Sequence, residues 1–343
     1  MRLSIPFALN AVAWYPPARQ TTAQAIAAGD VNPSTAADLG YEALPVSEDV
    51  APPDMALAAG RAVLDDAGCP AGALGAVLHA SVHHQGHDAW SAPHYIANEI
   101  GARDAVPIGL LQQCNGGAIG IELAVSRLAA DTDHAGGPVL VTTADRFLMP
   151  SWHRWRSDYG MAAGDAGTAV LVHRGDRFPG RLLLRALVTS AAPELEIMHR
   201  GDDGLNATPL GHSSMIDVRR PKRHFVRTFG ADHFVKISYE HIRSVVHAAL
   251  DDAGLRPGDD RLRYAVLPRL GAKAMADAYI PPLVASTAAE LLDLGRGTGH
   301  VGAGDLNASL ADLATGWLRP GQFALVLNGG GGFTFTAVVV ERT

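Results

Sequence analysis

Cysteine, aromatic residues and long apolar runs are all scarce in this chain of 343 residues. It contains two cysteines, 6% aromatic residues and no apolar stretch of the roughly 18 residues that a membrane span needs. Two cysteines cannot form a disulfide framework, and no segment resembles a signal peptide. We therefore expect a protein of the reducing cytoplasm that has no membrane partner.

The chain also has fewer basic than acidic residues. The 28 lysines and arginines are outnumbered by 35 aspartates and glutamates, which leaves a net charge of −7. A nucleic-acid-binding protein needs a basic surface that neutralises phosphates and releases counterions. The acidic balance therefore argues against a nucleic-acid partner. With 48% hydrophobic residues, the length suits two globular domains or one doubled domain.

An internal repeat favours the doubled domain. A helical pattern ends in the sequence DDAG at residues 65–68, where Gly68 suits a helix C-cap, and a loop and a strand follow. The same series returns with DDAG at residues 251–254, at an offset of 186 residues. Two copies of one supersecondary unit imply a duplicated fold. We predict an α/β protein of two similar halves, residues 1–175 and 176–343.

Each half runs strand, helix, strand, helix, strand, strand. The strands are continuously apolar, which is typical of strands that are buried on both faces. If a pseudo-twofold axis relates the two halves, equivalent helix N-termini meet beside it. The expected architecture is therefore a layered α/β core with a seam at its centre.

Cys114 lies where a strand turns into a helix, in the stretch GLLQQCNGGA at residues 109–118. A thiol at a helix N-terminus faces the positive end of the helix dipole, which favours the nucleophilic thiolate. The alternative is a small cysteine of the hydrophobic core. Adding the repeat offset to Cys114 leads to His300, so the two residues would occupy equivalent places and meet at the seam.

A cysteine beside a histidine is a pattern typical of covalent catalysis, in which the imidazole activates the nucleophile. Asp305 follows His300 by five residues, in the sequence GHVGAGD. Its carboxylate could orient the imidazole, cap the helix that begins at Leu306, or do both.

A glycine-rich segment, residues 329–332, lies between the last two predicted strands. Glycines let backbone amides approach a developing oxyanion, although such a segment is more often a tight turn or a bulge. No phosphate-binding or dinucleotide-binding fingerprint accompanies it.

Four short motifs together resemble the β-ketoacyl-acyl-carrier-protein synthase III family of thiolase-fold enzymes. They are QCNGG at 113–117, GDAG at 164–167, Gly299-His300, and LRPG at 318–321 followed by GGGFT at 330–334. The resemblance covers nearly the whole chain and implies two pseudo-twofold-related halves in a layered αβαβα core, a homodimer, and acylation of Cys114. It also implies an oxyanion hole formed by the amides of Cys114 and Gly331. The donor would be acyl-coenzyme A or the acyl-phosphopantetheine of an acyl carrier protein, with no permanently bound cofactor.

Two departures from the family bear on the reaction. Condensing members carry a His-Gln-Ala-Asn motif where this chain has Pro268-Arg269-Leu270-Gly271, and His300 stands in place of their asparagine. Decarboxylative condensation needs that histidine and asparagine, whereas a set of cysteine, histidine and aspartate suits deprotonation of an alcohol. The pattern resembles a divergent branch of natural-product biosynthesis that moves malonyl or aryl-acyl groups onto hydroxyls of sugars or cyclitols. The alternatives are a decarboxylating condensing enzyme, a thioester hydrolase and a non-enzymatic partner subunit.

Several further residues are candidates for substrate binding. Trp152 and Arg156 lie, with Arg154 and Trp155, in a loop where family members build the pantetheine tunnel. Arg269 could bind a carboxylate or fix the acceptor, and a structural salt bridge is the equal alternative. A basic run, residues 219–227, could receive an acidic carrier protein or a coenzyme A phosphate, or could be a solvated surface.

Four histidines crowd a short segment, at positions 79, 83, 84 and 87. No carboxylate or thiolate stands at ligand spacing beside them, so we predict no metal site. A pocket lining or a dimer-contact loop is the preferred interpretation.

Overall fold

The computed structural model describes residue 3, residues 5–131 and residues 136–343. Its strands are β1 (Phe7–Trp14), β2 (Arg19–Thr21), β3 (Ala43–Pro45), β4 (Ala76–Ala80), β5 (Val106–Leu110), β6 (Val139–Asp145), β7 (Ala166–Arg174), β8 (Leu182–Ala191), β9 (Leu262–Val266), β10 (Glu290–Leu292), β11 (Phe323–Gly330) and β12 (Thr334–Arg342). Its α-helices are α1 (Thr22–Ala27), α2 (Pro33–Leu39), α3 (Pro52–Ala67), α4 (Ala92–Ile100), α5 (Gly116–Ala130), α6 (Ile197–Arg200), α7 (Arg219–Phe229), α8 (Ala231–Asp252), α9 (Ala272–Ala274), α10 (Ile280–Val284) and α11 (Asp305–Asp312). Short 3₁₀ turns span Ala71–Ala73, Gln113–Asn115, Pro193–Glu196 and Gly302–Gly304, and π-helical segments span Met275–Tyr279 and Leu313–Trp317.

Ten strands form one sheet in the order β10-β9-β11-β12-β8-β1-β7-β6-β4-β5. The order is symmetric about the central pair: β7, β6, β4 and β5 follow β1 on one side, as β12, β11, β9 and β10 follow β8 on the other. β1 and β8 meet antiparallel at the centre, where Phe7 pairs with Leu184 and Leu9 pairs with Leu182. The separate pair β2 and β3 lies outside this sheet.

The side chains of the sheet divide among three hydrophobic clusters. One face of the first half packs against α3, one face of the second half packs against α8, and the remaining faces of both halves enclose α5 and α11. In β6, Val139 and Val141 join the central cluster while Leu140 joins the α3 cluster, as the two-residue repeat of a strand requires. The predicted layered α/β architecture is therefore confirmed.

In the ten-stranded sheet, each half contributes five strands, one more than its predicted series. The additional strands are β5 and β10, which lie at the two edges of the sheet. β5 is the strand that the sequence predicts to turn into a helix at Cys114, although it contains Pro107 and Gly109, residues that are depleted from strand interiors. The expected C-cap is in place, because Gly68 ends α3 with a left-handed φ of 63°. The division into domains at residues 175 and 176 stays a prediction.

In the part of the chain that the structure describes, no helix combines the length and the apolar character needed to cross a membrane.

Candidate active site

Cys114 lies in the 3₁₀ turn Gln113–Asn115, which we call the cysteine turn and which leads directly into α5. Gln113 adopts a left-handed φ of 49°, an unfavourable conformation for a residue with a side chain. This bend presents the half-buried Cys114 side chain at the amino end of α5. The thiol is therefore accessible, and the alternative of a core cysteine does not fit it.

Cys114, His300 and Asp305 form a continuous chain of contacts. His300 Nε2 lies 3.0 Å from Cys114 Sγ, and His300 Nδ1 lies 2.6 Å from Asp305 Oδ2. The other carboxylate oxygen, Oδ1, accepts the Val301 amide at 2.8 Å. Asp305 is the first residue of α11, whose N-cap is Gly304. Asp305 therefore orients the imidazole and does not cap the helix.

The electrostatics of this chain favour a protonated imidazole. Burial by itself lowers the pKa of His300, but the neighbouring Asp305 carboxylate and Cys114 sulfur outweigh it and hold the pKa well above its ordinary value. An imidazolium that contacts a sulfur at hydrogen-bond distance stabilises the thiolate. The geometry thus provides a nucleophile with a proton-carrying partner.

The repeat brings these residues together, but His300 is not the counterpart of Cys114. In the first half the 3₁₀ turn Gln113–Asn115 precedes α5, and in the second half the turn Gly302–Gly304 precedes α11. The middle residues, Cys114 and Ala303, are therefore equivalent, and His300 lies three residues earlier. The offset of 186 residues fails here because the second half has a longer connection before its helix.

We call residues 299–305 the histidine turn. The His300 amide donates to the Ala162 carbonyl at 3.0 Å, and the Gly164 amide donates to the His300 carbonyl at 2.9 Å. A Cβ on Gly164 would collide with the Thr298 carbonyl, so the first glycine of the GDAG motif permits this close approach. The histidine is thus held by the backbone of the first half.

The glycine-rich segment after β11 packs on the cysteine turn. A Cβ on Gly330 would lie 2.6 Å from the Asn115 nitrogen and 3.1 Å from the Cys114 carbonyl carbon, which leaves room for glycine alone. Gly331 follows, and the His199 ring covers its Cα. The predicted oxyanion-hole residues, Cys114 and Gly331, line the same cavity, and their function stays a prediction.

A buried amide pair supports the cysteine turn from beneath. Asn328 Nδ2 donates to Asn115 Oδ1 at 2.8 Å and to the Cys114 carbonyl at 3.2 Å. Asn115 Nδ2 in turn donates to the hydroxyls of Thr334 and Thr336. The turn that holds the nucleophile is thereby fixed to β11 and β12.

Two cavities meet at Cys114. The larger, of about 610 Å³, is the Phe234 cavity, and it has mostly apolar walls between α7, α8 and the segment 270–279. The smaller, of about 490 Å³, is the Trp152 cavity, which contains His300. Both are lined by Cys114, Asp158, Met161 and His199. A substrate on either side can reach the thiol.

Of the three predicted substrate-binding residues, only Trp152 lines a cavity that contains Cys114. Arg156 is exposed, and its guanidinium donates to the carbonyls of Gly29 and Asp30. Arg156 lines neither cavity that contains Cys114, and its predicted role in substrate binding stays a prediction.

Arg269 is also a structural residue, which corrects its assignment to substrate binding. Its side chain is completely buried, and it donates to the Leu294 carbonyl at 2.8 Å, Thr298 Oγ1 at 2.6 Å and Asp312 Oδ2 at 2.5 Å. No surface of the guanidinium is left for a substrate. Between the two alternatives, the salt bridge is the one that the structure contains.

The basic run on α7 is largely paired with the protein itself. Lys222 contacts Asp158 Oδ1 at 2.6 Å, Arg220 pairs with Asp203, and Arg223 donates to the Tyr159 hydroxyl at 2.9 Å. Arg219 donates to the carbonyls of Asp158 and Trp155. These contacts fix the loop that follows Trp152 rather than leaving a free cationic patch.

The histidines of residues 79–87 have separate environments. Burial lowers the pKa of His79 to about 4, and its nitrogens contact Thr142 and Gln85. His83 stacks on Phe147, a residue of the Trp152 cavity. Within the described ranges, no group of three or more histidine, cysteine or acidic side chains could hold a metal ion.

Two buried carboxylates, Asp145 and Asp158, were not predicted from the sequence. Asp145, at the end of β6, accepts the amides of Val82, His83 and Ala303, and burial raises its pKa to about 7. Asp158 lines both cavities. No local motif marks either residue, because their partners are distant in the sequence.

Comparisons with known proteins agree with this fold. No family model matches the chain. A β-ketoacyl-acyl-carrier-protein synthase III from Roseiflexus sp. (strain RS-1) is 26% identical over 291 residues, which are 84% of this chain and 83% of that protein. The structure of the acyltransferase ChlB3 is similar with a TM-score of 0.86 and 27% identity over 98% of both chains. The 3-oxoacyl-acyl-carrier-protein synthase III of Aquifex aeolicus VF5 has a TM-score of 0.77 and 17% identity over 98% of this chain and 100% of its own.

Proposed function

Starting from the thiolase fold that this chain shares with acyl-transfer and condensing enzymes of the synthase III type, we propose that it is an acyltransferase that works through a thioester on Cys114. The observation that carries this proposal is the chain of contacts from Cys114 through His300 to Asp305. The acceptor is a hydroxyl of a small natural-product alcohol such as a sugar or cyclitol. The donor is acyl-coenzyme A or the acyl-phosphopantetheine of a carrier protein, and no permanently bound cofactor takes part.

In the first step the Cys114 thiolate attacks the carbonyl carbon of the thioester donor. A carbon–sulfur bond to Cys114 forms, and the carbon–sulfur bond to the carrier breaks. The proton on His300 passes to the departing carrier thiol. The amides of Cys114 and Gly331 would stabilise the oxyanion, and one such donor typically contributes about 2.7 to 4 kcal/mol to the transition state.

In the second step the now neutral His300 accepts the proton of the acceptor hydroxyl. The alcohol oxygen bonds to the acyl carbon, the bond to Cys114 breaks, and the proton on His300 again pairs with the thiolate. The Asp305 carboxylate favours the imidazolium in both steps. General-base catalysis of this kind contributes about 10² to 10⁴ in rate.

The residues behind the site favour ester formation over condensation. At the position of the family's decarboxylation histidine stands Arg269, whose guanidinium is bonded to Thr298 and Asp312 and does not line either cavity. No group at that position can stabilise an enolate. A histidine at position 300 provides the base that an alcohol acceptor requires.

A homodimer through the edge strand β5 accompanies this proposal. Val106, Ile108 and Leu111 are exposed on or beside this strand, with Leu111 at 86% exposure. An exposed apolar edge strand is a template for pairing with a second copy. Light scattering should show a dimer, and Ile108→Lys should shift it toward the monomer, whereas a monomeric wild type would contradict the pairing.

The function is tested by intact-mass spectrometry after the protein is offered acyl-coenzyme A thioesters, followed by a panel of sugar and cyclitol alcohols. An acyl adduct on Cys114, absent from Cys114→Ala, that disappears as an ester forms would support the proposal. Carbon dioxide trapped from malonyl thioester together with a new ketone would show condensation. Free acid alone would show hydrolysis, and the absence of any adduct would point to a non-enzymatic subunit.

A further inference from the structure

We infer that the acyl group accepted by Cys114 carries no negative charge, so that a neutral acyl thioester is the donor and a malonyl-type thioester is not. This inference rests on the proposed function and concerns the charges around the two cavities. An acyl group on Cys114 must occupy one cavity while the carrier arm occupies the other. The inference holds for either assignment, because it depends on the charged side chains of both.

In the Phe234 cavity the described wall contains one cation, Lys222. Its Nζ lies 2.6 Å from Asp158 Oδ1 and 2.8 Å from Oδ2, so the buried carboxylate neutralises it. Two further carboxylates are exposed on the same wall, Asp232 and Asp277, and Asp277 Oδ2 pairs with Lys273 Nζ at 3.0 Å. The described lining of this cavity therefore offers no unpaired cation.

In the Trp152 cavity the one arginine among the described lining residues is Arg200. Its Nη2 lies 2.6 Å from Glu196 Oε1, and Glu196 belongs to the same wall. Asp158 and His300 are the remaining charged groups of the described lining, and they are balanced by Lys222 and Asp305. His199 faces both cavities, but enclosure there and the nearby Lys222 lower its pKa to about 4, so its imidazole is neutral at pH 7.

A carboxylate at the far end of the acyl group would thus meet walls on which the described cations already have acidic partners. Most of the remaining walls are apolar, with Phe234, Leu270 and Phe333 in one cavity and Phe147, Trp152 and Ile216 in the other. Moving an unpaired carboxylate from water into such surroundings is strongly unfavourable. A neutral acyl group of the same shape meets apolar surface instead.

The test compares malonyl-coenzyme A with isovaleryl-coenzyme A, because the two acyl groups have the same branching and number of heavy atoms and differ in the terminal carboxylate. We expect isovaleryl transfer to Cys114 to be about a hundredfold faster. Equal or faster transfer of malonyl would overturn the inference while leaving acyl transfer through Cys114 intact. No adduct from either donor would overturn the proposed function itself.

Two matched variants locate the acyl group. Asp158→Asn frees Lys222 in the Phe234 cavity, and its Oδ1 can still accept the amides of Tyr159 and Gly160. Glu196→Gln frees Arg200 in the Trp152 cavity. Because Asp158 lines both cavities, we expect Asp158→Asn to raise malonyl transfer at least tenfold relative to isovaleryl transfer wherever the acyl group lies, whereas Glu196→Gln raises it only when the acyl group occupies the Trp152 cavity.

A ratio that neither variant changes would show that charge does not select the donor, and would overturn the inference. Unfolding midpoints of both variants identify any loss of structure, and the ratio of the two donors within one preparation cancels a general loss of active protein.

Discussion

The cysteine turn and the histidine turn occupy the same place in the two halves, yet they differ in burial and in support. Cys114 is half-buried and lines both cavities, whereas the second turn, from Gly302 to Gly304, is buried with His300 and Asp305. Side-chain amides beneath it fix the cysteine turn, and backbone and ionic contacts fix the histidine turn. The difference shows how a duplicated unit can place a nucleophile on one helix end and its base beside the other.

Removing the His300 imidazole should distinguish the roles of the two turns with the largest effect on the reaction. His300→Ala leaves the cysteine turn in place but removes the base, and we expect transfer to the acceptor to fall by about 10² to 10⁴. Single-turnover kinetics would measure acylation of Cys114 and release of the ester separately. An unchanged rate for the second step would contradict the base role, and circular dichroism would verify that the variant is folded.

Breaking the salt bridge between Arg269 and Asp312 should lower the free energy of unfolding. Arg269→Met leaves Asp312 without its partner, and we expect the free energy of unfolding to fall by about 3 kcal/mol. Chemical denaturation would measure it. The double variant Arg269→Met, Asp312→Asn is the control and should recover part of the loss. A changed preference among acyl donors without a loss of stability would instead restore a substrate-binding role.

The raised pKa of His300 predicts a shifted pH profile for Asp305→Asn. In the wild type the carboxylate keeps the imidazole protonated to high pH, so the alkaline limb of the acylation rate lies above the ordinary histidine pKa of about 6.5. Without the carboxylate this limb should move to lower pH, and the maximal rate should fall by about a hundredfold.

The raised pKa of His300 also predicts how the stability contributed by the His300–Asp305 pair changes with pH. The ion pair contributes stability below the ordinary histidine pKa and loses it as pH rises through the raised pKa of His300. The stability difference between wild type and Asp305→Asn should therefore shrink toward alkaline pH. A constant difference from neutral to alkaline pH would contradict the assigned pairing.

The smallest expected effect concerns the amides beneath the cysteine turn. Asn328→Ala removes the donor to Asn115 Oδ1 and to the Cys114 carbonyl, and we expect a loss of about 1 to 2 kcal/mol. Asn307→Ala is the matched control, since Asn307 is equally buried and its side-chain atoms have no partner among the described residues. Equal losses in thermal unfolding would mean that packing, and not the hydrogen bonds, supports the turn.

The layered fold could be predicted because its signals are local and repeated. Apolar strands, the DDAG sequence and the C-cap at Gly68 each follow from short-range chemistry, and their recurrence implied the two halves. The repeated series omitted β5 because proline and glycine weaken the strand pattern at an edge, although a strand leading to Cys114 was predicted. The counterpart of Cys114 was misplaced because the length of one connection differs between the halves.

The sequence identified Cys114, His300 and Asp305 as a set that suits acyl transfer, from their residue types, the strand-to-helix position of Cys114 and the repeat offset that led to His300. Only the tertiary structure decided how neighbouring residues are used. Arg269 and Arg156 were candidates for substrate binding in the sequence, with a salt bridge as the equal alternative for Arg269, and distant partners bind their guanidinium groups in the structure. No sequence motif marked Asp158 as a functional residue, but it pairs with Lys222 where the two cavities meet. Pairing and burial depend on contacts between residues far apart in the chain, and a linear pattern does not contain those contacts.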